Sequence, residues 1–260
     1  MKKLLLLSNG LLLRQNGSVD YAWDYLAAHF QASPQTPKTI LFVPYAGKDY
    51  DACTNFIASA LQPFGINVVS PHMVDNPIAL LDHVDGVFIG GGNTFRLLDT
   101  LQKTGLLEAI KAKVEAGMPY AGASAGSNVA CPTIQTSNDM PIVQPLSLNA
   151  MNLVPFQVNP HYVDGKFYCE ENGTLIPHNG ESRSQRITEF QEENSTPVVG
   201  LKEGSALYVE GNRVTLLGKC ATLFLQGAAP MEIRDGNVLS VLMSRQPLLT
   251  SSFQGMVASM

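Results

Sequence analysis

The sequence predicts an α/β protein: a mostly parallel sheet with helices on both faces, and antiparallel strands added in the C-terminal part. Three observations carry this. Short apolar runs alternate with stretches of helical spacing through the first half. From about Val198 the runs shorten and turn signals separate them. Charged residues make up 15% of the chain and hydrophobic residues 45%, a balance too apolar for disorder. At 260 residues the chain can bury a full core as a single domain, residues 1–260, without a disulfide or metal staple.

Taken in order, Leu4–Ser8 reads as a buried strand. Asp20–Phe30 has helical spacing, with Trp23, Leu26 and Phe30 on one face and Tyr21, Tyr25 and Ala28 on another. Thr39–Val43 is a second strand, closed by Pro44, and Tyr50–Leu61 a helix. Ile66–Ser70 reads as a strand, and Pro77–His83 as a short helix with proline in its first turn. Gly86–Ile89 is a strand running straight into Gly90-Gly91-Gly92. Thr94–Leu101 and Leu106–Ala116 are helices, with Gly117 placed to end the second. Met118–Ala121 is the next strand, and Ser127–Ala130 starts another helix. The later runs are Val198–Leu201, Ala206–Val209, Val214–Leu217, Leu223–Leu225, Met231–Ile233 and Val238–Val241. Asp235-Gly236-Asn237 is a hairpin signal, and Ser251–Met260 reads as a weakly ordered tail. These late strands are expected at the edge of the main sheet.

Several function classes drop out. The net charge is −5, and nucleic-acid binders need a basic surface, so nucleic acid is argued against as a partner. No run of about 18 apolar residues exists, which argues against a membrane span. Met1-Lys2-Lys3 and the leucines after it resemble a secretory signal. Ser8-Asn9-Gly10 breaks the apolar run, so a first strand is the better reading. Cys53, Cys131, Cys169 and Cys220 form no CxxC pair, which argues against zinc or a redox dithiol. Free thiols in a reducing cytoplasm are the expectation.

In parallel sheets ligands sit at the carboxyl ends of strands, and two such loops are rich in glycine. Gly122-Ala123-Ser124-Ala125-Gly126 fits G-x-S-x-G between a strand and a helix. A turn that sharp needs tiny neighbours, and it projects the serine beside a helix amino terminus. That pattern suits Ser124 as a nucleophile; the bland alternative is a close-packed turn with an ordinary serine. Gly90-Gly91-Gly92-Asn93 lacks the Gly-Lys-Ser/Thr of a phosphate loop and the G-x-G-x-x-G of a dinucleotide site. Backbone donors for an oxyanion suit it better.

A serine nucleophile needs a base and an orienting acid. His161, after the stiffening Pro160, is the first candidate base, with His72 and His178 as rivals. His29 and His83 read as packing or surface residues. For the acid, Asp139 in a polar turn and Glu203 after a strand stand level, because spacing does not choose between them.

At this point the residues resemble a known family. Leu4–Asn9, Val43-Pro44-Tyr45-Ala46-Gly47, Gly90-Gly91-Gly92-Asn93-Thr94-Phe95, Ser124-Ala125-Gly126-Ser127-Asn128, Thr136–Val143, Asn159-Pro160-His161 and Arg183–Ile187 look like the peptidase E family. The likeness runs in order over roughly residues 1–225. Those enzymes are aspartyl dipeptidases, serine peptidases on a fold similar to class I glutamine amidotransferases and thus flavodoxin-like. The resemblance implies Ser124 as nucleophile, His161 as base and Glu203 as the triad acid. Asp139 matches an aspartate needed for activity, either in catalysis or in binding the substrate's α-amino group. Gly91 and Ala125 would supply the oxyanion hole. Asn93 and Arg183 would bind substrate, Arg183 through the aspartate carboxylate. The implied partner is a small peptide beginning with aspartate, cleaved by a cytoplasmic monomer or homodimer with no metal or cofactor.

Departures from the family pattern stand out: the elbow starts Gly122-Ala123 where some relatives have a bulkier residue before the serine, Lys202 precedes Glu203 where some relatives have proline, and Asp164–Asn179 and the tail after Gln226 fit poorly. Residues 226–260 form an extension without an assigned role. The rival readings are an isoaspartyl or cyanophycinase-like hydrolase of the same superfamily, and a non-catalytic binding module on the same scaffold. A glutamine amidotransferase is disfavoured, because its elbow nucleophile is cysteine.

Overall fold

Lys3–Leu7 (β1) has no polar residue after its lysine, and Leu4 to Leu7 are fully buried. Such a run has no wet face, so it belongs inside a sheet covered on both sides. The computed structural model, which describes residues 1–165, 168–234, 236 and 239–244, places it there. After β1 come Leu11–Leu13 (β2), Val19–Tyr21 (β3), Trp23–Phe30 (α1), Lys38–Val43 (β4), Tyr50–Leu61 (α2) and Ile66–Val69 (β5). Pro77–Leu80 (α3), Gly86–Ile89 (β6), Thr94–Lys103 (α4), Leu106–Glu115 (α5), Tyr120–Ala123 (β7) and Ala125–Ala130 (α6) complete the first half. The second half holds Gln157–Pro160 (β8), Tyr168–Glu171 (β9), Thr174–Pro177 (β10), Arg183–Glu193 (α7) and Val198–Leu201 (β11). Ser205–Glu210 (β12), Arg213–Gly218 (β13), Cys220–Phe224 (β14) and Met231–Arg234 (β15) follow.

Among the described residues, the main sheet has seven strands in the order β13-β12-β1-β7-β6-β4-β5. From β1 to β5 the pairs are parallel; β12 and β13 add an antiparallel edge. Side chains alternate across a strand. Leu5 and Leu7 therefore join the core under α1 and α2, with Phe42 and Phe88. Leu4 and Leu6 join the core under α4, α5 and α6, with Val43 and Ile89. Parallel strands end at one rim, so Ser8-Asn9, Pro44–Gly47, Gly90–Gly92 and Ser124 all gather there.

A second sheet has the order β15-β14-β11-β8. Among the described late strands only β12 and β13 reach the main sheet, so these strands divide rather than all extending one edge. The chain leaves the small sheet at Gly204 and returns at Gly218, both with positive φ. A Cβ at Gly218 would lie 2.1 Å from the Gly204 carbonyl oxygen, so the two crossings close on each other only with glycine.

Other differences are local. The helix expected over Asp20–Phe30 starts at Trp23, because Val19–Tyr21 pairs with Leu11–Leu13 in a hairpin turning at Gly17. The elbow strand is Tyr120–Ala123 and its helix starts at Ala125, so the turn is tighter than the sequence suggests. Asn172-Gly173, both with positive φ, closes the β9–β10 hairpin inside the segment that departs from the family pattern. Ser240–Met243 forms a 3-10 turn instead of the end of a strand. The Asp235-Gly236-Asn237 hairpin and the Ser251–Met260 tail lie outside the described residues, Gly236 apart. Among the described residues no helix is long and apolar enough to cross a membrane.

Candidate active site

Strand β7 delivers Ser124 to the rim, and α6 begins one residue later. The turn leaves Ser124 at φ 52° and ψ −108°, a left-handed conformation that a serine holds only under constraint. The constraint is close packing. A Cβ on Gly122 would come 2.4 Å from the Gly126 oxygen, and one on Gly126 would come 2.2 Å from the Ile89 oxygen. The small neighbours expected from the sequence are thus required on both sides of the elbow.

His161 arrives from the other sheet. β8 and β11 run parallel in register, Pro160 opposite Leu201, so their next residues end side by side. His161, at φ 54°, donates its backbone N–H to the Ser8 hydroxyl at 3.0 Å. That hydroxyl donates in turn to the Leu201 carbonyl at 2.8 Å. The imidazole Nε2 lies 2.9 Å from Ser124 Oγ, and Nδ1 lies 2.5 Å from Glu203 Oε1. The Asn9 amide donates to the other Glu203 oxygen, while Asn9 Oδ1 accepts from Leu11 N–H at 2.9 Å. Ser124, His161 and Glu203 are therefore one hydrogen-bonded chain, anchored by Ser8 and Asn9 from the end of β1.

The buried Cys131 thiol joins the two arms from below. It donates to the Ser127 carbonyl at 3.4 Å and accepts from Val158 N–H at 3.2 Å, tying α6 to β8. Burial pushes the thiol up to about 12, so it stays protonated and can donate.

The other predicted residues lie around this chain. Gly91 faces the serine: a Cβ there would come 3.2 Å from Ser124 Cβ. Ala125 is the first residue of α6, whose N–H has no intrahelical acceptor. Among the described residues Asp139 hydrogen-bonds neither Ser124 nor His161. Its Oδ2 accepts from Thr94 N–H at 2.8 Å, Thr94 Oγ1 at 2.6 Å and Ser137 Oγ at 3.1 Å. Asn93 caps α4, accepting from Arg96 N–H at 3.0 Å and donating to the Met140 carbonyl at 2.9 Å. Both side chains therefore lock the 137–140 turn onto the amino end of α4.

Arg183 opens α7, behind a Ser182–Gln185 capping box. Its Nε is buried with no hydrogen-bond partner among the described residues. Burial and the neighbouring Arg186 pull the guanidinium below its ordinary value, while Asp139 pulls it back up. A half-buried cation held this way is ready for an anion.

The rival bases lie elsewhere. His72 bonds Ser70 Oγ at 2.7 Å and Asp51 at 3.0 Å, beside the edge strand β5. His178 accepts from Gly180 N–H in an exposed loop. Two of the departures from the family pattern prove to be partners, since Lys202 pairs with Asp164. Sequence reasoning gave no role to Ser8 or Asn9, although both follow a strand at the rim where ligands bind. It also missed a cavity of about 360 Å³ beside Ser124, lined by Tyr21, Trp23, Phe42, Phe56 and Phe88 among others.

The model of peptidase family S51 matches residues 4–217. A Peptidase E of Streptomyces coelicolor is 46% identical over 92% of this chain and 94% of its own. A Drosophila melanogaster protein named "Probable alpha-aspartyl dipeptidase" is 40% identical over 94% of this chain and 98% of its own. The crystal structure of a peptidase from an acI-B1 Actinobacterium shares the fold, at TM-score 0.64 and 17% identity, over 92% of this chain and 96% of that one.

Proposed function

The chain belongs to peptidase family S51 and is a serine peptidase, and on that premise we propose that it hydrolyses dipeptides, and short peptides, that begin with aspartate. The observation that carries the mechanism is the unbroken chain Ser124–His161–Glu203. Ser124 Oγ attacks the scissile carbonyl carbon as His161 Nε2 takes its proton. Glu203 fixes the imidazole through Nδ1 and stabilises the cation that forms, while Asn9 holds Glu203 in place. The N–H groups of Gly91 and Ala125 receive the oxyanion. His161 then returns the proton to the leaving amine. An acyl-enzyme remains, and water activated by the same histidine releases aspartate.

Arg183 takes the side-chain carboxylate of the aspartate, and its unpartnered Nε supports that role. Asp139, with Oδ2 committed to α4, binds the α-amino group rather than joining the proton transfer. Asn93 keeps that turn in register. The net charge of −5 repels an anionic substrate at long range, so Arg183 must supply the attraction locally.

The test is a dipeptide panel of Asp-Leu, Asn-Leu, Ala-Leu and isoaspartyl-Leu. Wild type should cleave Asp-Leu, and Ser124→Ala should lose at least about 10⁴-fold in kcat with its circular dichroism unchanged. Arg183→Ala should raise KM for Asp-Leu and erase the preference over Asn-Leu. Retained activity in Ser124→Ala overturns the mechanism. Preferred cleavage of the isoaspartyl substrate transfers the chain to the isoaspartyl reading.

A further inference from the structure

Ser124 has polar and charged groups on one side and an aromatic cavity on the other. Asp139 and Asn93 hold the amino end of α4, which Asn128 ties to α6, and Arg183 feels the charge of Asp139. The cavity lies on the α1 and α2 face, where Phe42 and Phe88 belong to the core. It encloses about 360 Å³ and reaches Ser124, His161 and the Gly90–Gly92 loop. Tyr21 and Trp23 stack at 4.7 Å, and Phe56 meets them edge-on at 6.0 and 6.2 Å. Tyr21 is 48% exposed and Phe56 53%, so this cluster forms the wall of an open cleft rather than a closed core. Arg14 sets that wall: it pairs with Asp20 and Asp24 and donates to the Tyr21 carbonyl, clamping the β2–β3 hairpin onto α1.

We propose that this cavity is the subsite for the side chain of the leaving residue, and that it selects aromatic and long aliphatic side chains. The assignment rests on the aspartate reading above. A peptide extends from its scissile carbonyl in two directions. Among the described residues no arginine or lysine lines the cavity, so they offer no cation there to the aspartate carboxylate. The cation, Arg183, stands within reach of the Asp139 charge instead. The residue beyond the scissile bond must therefore enter the aromatic side. Half-exposed rings gain most from a partner that completes their burial and stacks edge-on or offset against them. Asn9, His161 and the Gly90–Gly92 loop make up the polar part of its lining, and Tyr21, Trp23, Phe42, Phe56 and Phe88 the aromatic part.

The experiment is kcat/KM on Asp-Phe, Asp-Leu, Asp-Ala and Asp-Gly for wild type, Phe56→Ala and Trp23→Ala. Wild type should favour Asp-Phe and Asp-Leu over Asp-Ala by about 10- to 100-fold, chiefly through KM. Each variant should lower the Asp-Phe to Asp-Ala ratio about tenfold; Phe56 is exposed enough that its variant keeps the fold. General damage would lower all four substrates together and leave that ratio intact. Asp-X cleavage indifferent to X, or a ratio unmoved in both variants, overturns the subsite while the aspartate reading survives. A wild-type enzyme that cleaves none of the four overturns the aspartate reading and the subsite with it.

Discussion

Ser124 and His161 meet at 2.9 Å, yet they come from two sheets built on different principles. The main sheet holds its serine by backbone contact, with β7, β6 and α6 packed so closely that Gly122 and Gly126 admit no Cβ. The small sheet holds its histidine by hydrogen bonds with distant side chains: Ser8 and Cys131 accept from backbone N–H groups, and Asn9 donates to the Glu203 carboxylate. Contact geometry is local and nearly incompressible. Hydrogen-bonded placement is long-range and depends on a few single atoms. The Ser124 arm should therefore respond steeply to added volume, and the His161 arm to the loss of one donor or acceptor.

The largest expected effect tests the first half of that contrast. Gly126→Ala adds one methyl group, but that carbon would sit 2.2 Å from the Ile89 oxygen. Helix α6 or strand β6 must shift, at a cost of roughly 3 kcal/mol or more. Urea unfolding should show the loss, and kcat should collapse with it as the elbow opens. A variant as stable and active as wild type would show that the elbow is not held by contact.

The same contrast explains what the sequence discloses. The elbow is legible because its cause lies within five consecutive residues, and tiny side chains have few other reasons to cluster between a strand and a helix. The base is less legible. Pro71-His72 and Pro160-His161 look alike, each a stiffened histidine after a strand. They separate only because β8 pairs with β11, forty residues away in sequence, while β5 is an edge strand. Glu203 and Asp139 could not be separated by spacing for the same reason: register places one beside the imidazole and the other on the cap of α4. The family resemblance supplied those choices, where periodicity did not. The aromatic cavity was hidden by a local misreading. Tyr21 fits a helical face with Tyr25 and Ala28, yet Leu11–Leu13 recruits it into a strand and turns its ring toward Trp23 and Phe56.

The second effect concerns the platform beneath the main sheet. His29 in α1 is buried against Phe30 and Tyr208, and burial pulls its imidazole down from 6.5 to about 4. The native state keeps it neutral while the unfolded chain binds a proton below about 6.5. Its contribution is thus complete above pH 6.5 and is lost as the pH falls towards 4, about 3 kcal/mol in all. Unfolding free energies from urea curves taken from pH 7 to pH 4 should fall by that amount in wild type and by less in His29→Leu. Parallel curves for the two proteins would remove His29 as the acid-sensitive point beneath the main sheet.

The smallest and most telling effect belongs to Ser8. Its hydroxyl accepts from His161 N–H and donates to the Leu201 carbonyl, so one oxygen from the main sheet aligns the ends of both β8 and β11. Ser8→Ala removes no volume that packing depends on, but it leaves a backbone N–H without its acceptor. The stability cost should be about 1–3 kcal/mol, less than the glycine variant loses. The kinetic cost should be disproportionate, because a base displaced by a fraction of an ångström transfers its proton poorly. We expect kcat for Asp-Leu to drop about 10- to 100-fold with KM nearly unchanged, since Arg183 and the aromatic wall are untouched. Fluorophosphonate labelling of Ser124 should slow in proportion, as it also relies on His161. Lost stability with an unchanged kcat would mean that Ser8 only holds the sheets together, and that the imidazole is aimed from Glu203 alone.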